Sequence, residues 1–213
     1  MADSPMPNGM LTFIEPTEEH AQILLDWRTR PDIAGQMLTT VPYDVERQKA
    51  WLRRCKERDD YVHRILCVDG VPAGHVSITV TEPEWRIATF GVLMGERAGR
   101  IGAAPLNFAY MLNHVFFTMG LRKVVNHILG TNSPRLLKGQ PMIGYRPVGV
   151  LKRQVVKDGQ EIDLHIFEML AEDWLAVRER FRIYQDMDGR EWMSGQEASP
   201  ASDSDISGPD RCH

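Results

Sequence analysis

Apolar residues recur along the chain at two spacings, about two residues and about 3.6, and the order of those stretches sketches a fold. LTFIEPT (11–17) alternates and predicts a first strand, while EEHAQILLDWR (18–28) carries Ile23, Leu24 and Trp27 at helical spacing. RPDIAGQML turns into a short helix. DVERQKAWLRRCKERDD (44–60) is a charged helix with Trp51, Leu52 and Cys55 as its apolar stripe, and its charges read as a solvated face rather than a binding patch. From Val62 to Met94, alternating runs broken at Asp69-Gly70 and at Glu82-Pro83-Glu84 predict an antiparallel meander.

A helix is expected over 103–119, with Gly120 as its cap. LRKVVNHILGTN then gives a strand, NSPRLLKG a short helix stopped by Pro141, and residues 144–170 two strands joined at Asp158-Gly159. AEDWLAVRERFRIY closes the pattern as a helix, and from residue 186 the composition is that of a disordered polar tail. The order β-α-α-β-β-β-α-β-α-β-β predicts one mixed α/β (α+β) domain over 11–185, between a flexible N-terminus (1–10) and the tail (186–213). Its central sheet is mostly antiparallel and flanked by helices, and the helix after the fourth strand lets the fifth lie parallel to it.

The net charge of −4 and pI near 6.0 give the molecule no general attraction for polyanions, so nucleic acid is not an expected partner and any phosphate recognition is local. Cys55, Cys67 and Cys212 have neither zinc-ligand spacing nor an even count, which suits a reducing cytoplasm and predicts no metal. The start MADSPMPNGM lacks the basic-then-apolar order of a secretion signal, and no apolar run approaches the roughly 18 residues of a membrane helix. A soluble cytoplasmic protein without a membrane partner is the expectation.

One stretch changes this picture. RAGRIGAAPLNFAYML (97–112) places two arginines and two glycines where a strand hands over to a helix. The first helical turn exposes N–H groups without intrahelical partners at the positive end of the macrodipole, and adjacent guanidinium groups make such a turn attractive to phosphate.

With Arg97, Arg100 and Gly102 in this turn, the chain resembles the GCN5-related N-acetyltransferase (GNAT) superfamily, which has an Arg/Gln-x-x-Gly-x-Gly/Ala turn between its fourth strand and third helix. Arg100 stands at the family's middle glycine. Asn132 before a short helix and Gly144-Tyr145 resembles the family's Asn…Gly-Phe segment. The resemblance spans roughly residues 10–172. It implies acetyl-CoA as cosubstrate, with Arg97, Ala98, Gly99, Arg100, Ile101, Gly102 and Ala103 cradling its pyrophosphate. It further implies that Val92, Leu93 and Met94 pair with its pantetheine amides, that Asn132 contributes to the cofactor site, and that strands four and five splay to form the slot. LLDWRTRPDIAGQM is similar to a segment of the nucleotide-sugar N-acetyltransferases that acetylate UDP-linked 4-amino sugars. That likeness implies a UDP-linked amino sugar as acceptor, with Trp27 stacking on the base, Arg28 pairing with phosphate and Met37 lining the acceptor side. A homodimer paired through the sheets is implied by the same analogy.

Acetyl transfer to an amine needs a neutral nitrogen, a polarised thioester carbonyl and an exit for the thiolate. His127, mid-strand and of the side-chain type suited to accepting an ammonium proton directly or through water, is the first candidate base, with Glu82 and Glu84 as rivals. His75 alternates to the face opposite Val76 and Ile78, which is either core or cleft. The family's tyrosine acid falls on Gly139 or Gln140 here, neither of them an acid. Direct attack in a ternary complex is the expected chemistry. Two alternatives stay open: acetylation of a protein N-terminus, polyamine or other small amine, and a non-catalytic acyl-CoA sensor.

Overall fold

Asp69 and Gly70, both at positive φ (52° and 79°), turn β2 (Tyr61–Val68) back onto β3 (Val71–Glu82), and β3 pairs in turn with β4 (Ile87–Met94). This is the meander that the alternation predicts. The computed structural model describes residues 11–96 and 104–192. With β1 (Leu11–Ile14), β5 (Lys123–Leu129), β6 (Arg146–Lys157) and β7 (Gln160–Leu170), these strands form a seven-stranded sheet in the order β1-β2-β3-β4-β5-β7-β6. Each neighbouring pair is antiparallel except β4 and β5, which run parallel.

Alternation along the strands feeds two cores. Leu66, Val76 and Ile78 point to one, which they share with α4 (Ala104–Asn113), α5 (Pro134–Ile143) and α6 (Ala171–Val177) through Met111, Leu112, Ile143 and Trp174. Ile65, Cys67 and Leu93 point to the other, under α1 (Ala21–Thr29), α2 (Pro31–Ala34) and α3 (Val45–Cys55), where Leu24, Trp27, Ile33 and Leu52 meet them. Asp44 caps α3 by accepting from the Arg47 N–H at 3.0 Å, and Ser133 caps α5 by accepting from the Leu136 N–H at 3.3 Å.

Three expectations about boundaries need correction. Pro141 does not stop α5: the helix runs to Ile143, because the N–H of Gly144 (φ 119°) bonds the carbonyls of Gln140 and Pro141 and closes the last turn. The long helix after β4 changes pitch, passing from α4 into a π turn over His114–Thr118. The closing helix stops at Val177 with a short 3₁₀ turn behind it.

Residues 186–192, assigned by composition to the tail, are packed. Asp186 and Met187 are buried and the Trp192 ring stacks on Phe117 at 5.6 Å. Asn113 anchors the stretch just ahead of this segment to the rest of the domain. It donates to the carbonyls of Ile183 and Gln185 (3.1 and 2.8 Å) and accepts from the Trp174 indole (3.0 Å). Residues 1–10 and 193–213, expected to be flexible, lie outside the described residues.

Candidate active site

The parallel pairing of β4 with β5 covers only Ile87 with Lys123 and Ala88 with Val124. Beyond it the strands part. At the parting the side chain of Asn126, buried on β5, stands in for a strand partner: its Oδ1 accepts from the Phe90 N–H at 3.0 Å. The backbone alternates, so the N–H and C=O of Val92 point the same way as those of Phe90, towards a gap that no described strand fills. Gly91 and Leu93 turn their backbone polar groups towards β3 instead. Tyr145, the polar neighbour of Asn126 on the far side, is fully buried, and burial pushes its hydroxyl pKa up.

A cavity of about 590 Å³ opens from this gap towards α1 and α3. Its floor is the sheet face carrying His75, Ser77, Gly91 and Leu93. The floor is bare at Gly91, where a Cβ would lie 2.5 Å from the Ser77 hydroxyl. His127 and Ile128 of β5 and Leu136 and Gln140 of α5 close one end. Gln140 is 1% exposed, and its Oε1 has no hydrogen-bond partner. A buried acceptor left unpaired costs about 1–3 kcal/mol, so this oxygen suits a ligand's donor.

The other end is cationic. Arg28 donates through Nη2 to the backbone oxygen and hydroxyl of Thr39, both at 2.7 Å, while its Nη1 is buried without a partner. Burial pulls the Arg28 pKa down, a shift that an anion in the cavity would oppose. Arg47 and Arg54 line the same end. Asp44 is the only carboxylate among the described lining residues, and its side chain is engaged as the cap of α3. Arg47, Trp51 and Arg54 are spaced i, i+4, i+7 and so share a helix face. Arg47 and Arg54 are exposed, as the solvated-face reading of α3 expects, and line the cavity at the same time.

Residues 36–42 form the wall above the floor, and side chains from elsewhere hold this segment by its carbonyls. Asn132 Nδ2 donates to the Gln36 oxygen at 3.0 Å, and Lys157 Nζ donates to the oxygens of Ala34 and Met37. The amide nitrogen of Asn132 is thereby engaged, which leaves its oxygen for any ligand.

The structure brings together many of the residues singled out from sequence. Arg28, Met37, Val92, Leu93, His127 and Asn132 all line the cavity. Trp27 does not: it is 3% exposed in the core, its indole donates to Glu96 at 2.8 Å, and it packs beneath Gly95. The stacking role expected of it is withdrawn. Glu82 and Glu84 are exposed at the turn into β4, outside the lining, so the rival-base reading loses its geometry. Met94 packs against the α4 core. The phosphate turn, Arg97, Ala98, Gly99, Arg100, Ile101, Gly102 and Ala103, lies outside the described residues. Of the two positions facing the missing tyrosine, Gln140 lines the cavity and Gly139 does not.

The mostly antiparallel sheet, its parallel central pair and the gap between that pair are the fold of the GNAT acetyltransferases. No protein-family model matches the chain, and neither does any curated protein. Solved structures do. A spermidine N-acetyltransferase SpeG chimera from Vibrio cholerae and hSSAT superposes with a TM-score of 0.70 at 15% identity, covering 78% of this chain and 98% of that one. A candidate acetyltransferase from T. thermophilus superposes at 0.62 with 20% identity, covering 85% and 97%. At such identities the likeness is one of fold.

Proposed function

We propose that this protein is an acetyl-CoA-dependent N-acetyltransferase whose acceptor is a small amine bearing an anionic group, a nucleotide-linked 4-amino sugar in the first instance. The observation that carries the acceptor reading is the cavity's cationic end, where Arg28, Arg47 and Arg54 face one carboxylate already engaged as a helix cap. Guanidinium groups match phosphate oxygens in geometry as well as charge. The cosubstrate reading rests on the gap beside Val92, whose N–H and C=O would pair with the two ends of a pantetheine amide.

In this reading the neutral acceptor nitrogen attacks the thioester carbonyl directly. The C–N bond forms, the C–S bond breaks, and CoA leaves as thiolate. His127, exposed at the end of the cavity, takes the proton that the nitrogen loses. Gln140, whose unpaired atom is an oxygen that only accepts, gives the departing thiolate no proton.

A polyamine acceptor is the second reading, favoured by the fold shared with a spermidine N-acetyltransferase. Three arginines oppose a polycation. Thiol release from acetyl-CoA against UDP-4-amino sugars, spermidine and N-terminal peptides tests the choice. Turnover confined to the sugars is expected; turnover of spermidine alone overturns the anionic-acceptor reading, and binding of acetyl-CoA without turnover of any acceptor makes the chain a sensor.

A further inference from the structure

A half-buried histidine at the cavity floor and a buried one behind it take no part in the transfer mechanism above. β2 and β3 place His63 opposite Ser77 and His75 opposite Ile65, so the two rings meet on the diagonal. His63 Nδ1 and His75 Nε2 are 3.1 Å apart, and the rings cross at 81°. Trp51 presents an edge contact to each ring, with centroids 5.4 and 6.2 Å away, and Tyr61 lies 5.1 Å from His63. His75 lines the cavity, whereas His63 is 6% exposed and stands behind it.

Among the described residues the charged groups acting on the pair are cations: Arg28 of α1 beside His75, and Lys56 at the end of α3 and Arg64 of β2 beside His63. Tyr61 and Ser77 are the neutral polar neighbours, and burial lifts the Tyr61 hydroxyl to about 12. Burial first, then the cations, lower His63 to about 4 and His75 to about 3. Both rings are therefore neutral throughout the physiological range.

Two neutral imidazoles carry two ring protons. One of them lies in the His63–His75 hydrogen bond. If His63 donates it, the other proton sits on His75 Nδ1, which then offers the cavity a donor. If His75 donates it, Nδ1 is an acceptor and the second proton sits on His63 Nε2. A hydroxyl satisfies either arrangement, because it both donates and accepts. An ammonium can satisfy only the second, and Arg28 repels it. We infer that the His63–His75 pair is the acceptor-selecting element of the cavity, with His75 holding an uncharged hydroxyl of the acceptor and thereby favouring polyhydroxylated amines over linear polyamines. His75 here is a specificity residue that binds substrate as a neutral ring. The inference rests on reading this cavity as the acceptor site, and it adds a neutral contact to the anionic one made by the arginines.

The test is nitrogen-detected NMR of the histidine side chains in the full chain, titrated with a UDP-4-amino sugar or with spermidine, while thiol release is followed on the same samples. The sugar is expected to shift the His75 Nδ1 resonance and spermidine to leave it in place. No shift with the sugar, or an equal shift with spermidine, overturns the inference whether or not acetyl transfer is seen. A shift without transfer upholds it and removes the transferase reading instead.

His75→Phe and His75→Gln supply the kinetic arm. His75→Phe is expected to raise the acceptor KM roughly three- to tenfold, the value of one neutral hydrogen bond. Acetyl-CoA affinity should stay within about twofold, and His75→Gln should recover most of the loss. The acid limb of the pH profile should be the same in both variants as in the parent. A limb displaced by His75→Gln would make His75 the titrating base and overturn its assignment as a neutral contact.

Discussion

Asn126 bridges β4 and β5 where their backbone pairing ends, and replacing it with leucine tests that directly. Leucine keeps the volume and removes both polar ends of the side chain. The Phe90 N–H, now bonded at 3.0 Å, would face an apolar group in a half-buried setting. Stranding one such donor costs about 1–3 kcal/mol. At roughly 2–4 °C per kcal/mol for a domain of this size, Tm should fall by about 2–12 °C. Amide hydrogen exchange locates the effect: Phe90 should lose protection while Val76 and Ile78, deep in the neighbouring strand, keep theirs. An Asn126→Leu protein with parental Tm and an equally protected Phe90 amide would refute the argument that this side chain stands in for a strand partner.

Gly95→Ala should lower the urea midpoint sharply, since the added Cβ would lie 2.2 Å from the Trp27 ring; a midpoint unchanged from the parent would show that the ring can move aside. Gln140→Met should leave stability equal or raised by about 1 kcal/mol, because an unpaired buried oxygen is removed, and should weaken acetyl-CoA binding measured by calorimetry. Glu168 is held below the usual carboxylate range by Lys123 first and by Arg146 as well, against the opposing effect of burial. A depressed carboxylate stabilises the fold above its unfolded pKa of 4.5 and loses that contribution as pH falls through the lower folded value. Tm measured from pH 7 to 3 should therefore fall less steeply in Glu168→Gln than in the parent. His63 and His75 add to the same acid loss by a different route. The unfolded chain binds their protons from about pH 6.5 downwards, while the folded chain waits until about 4 and about 3, so stability declines across that window.

Local rules made the strands, their turns and the short helices legible in the sequence, because each depends on neighbours a few residues away. Asp69-Gly70 and Ser133-Pro134 are sufficient signals in themselves. What escaped depends on register. His63 and His75 are twelve residues apart and meet only because the hairpin sets Ile65 opposite His75. Asn126 reads as one more residue of an alternating strand, and its function exists only because β4 leaves the ladder two residues earlier. Trp27 misled for the converse reason: its side chain faces Gly95, a residue with no bulk to turn it outwards. Arg47, Trp51 and Arg54 did carry a signal in their i, i+4, i+7 spacing, which the density of charge around them hid.

The packed segment at 186–192 has a practical consequence for joining this domain to anything else. A fusion made at residue 186, where composition alone would end the domain, discards Met187 and Trp192 from the core and cuts through the loop in which Asp186 accepts from the N–H groups of Asp188 and Arg190. Thr118 and His114, which both reach Asp186 from the π turn, would then abut the linker of a foreign protein. A junction placed after Trp192 leaves that carboxylate and its donors in place, and with them the rear support of α4 and the π turn that follows it.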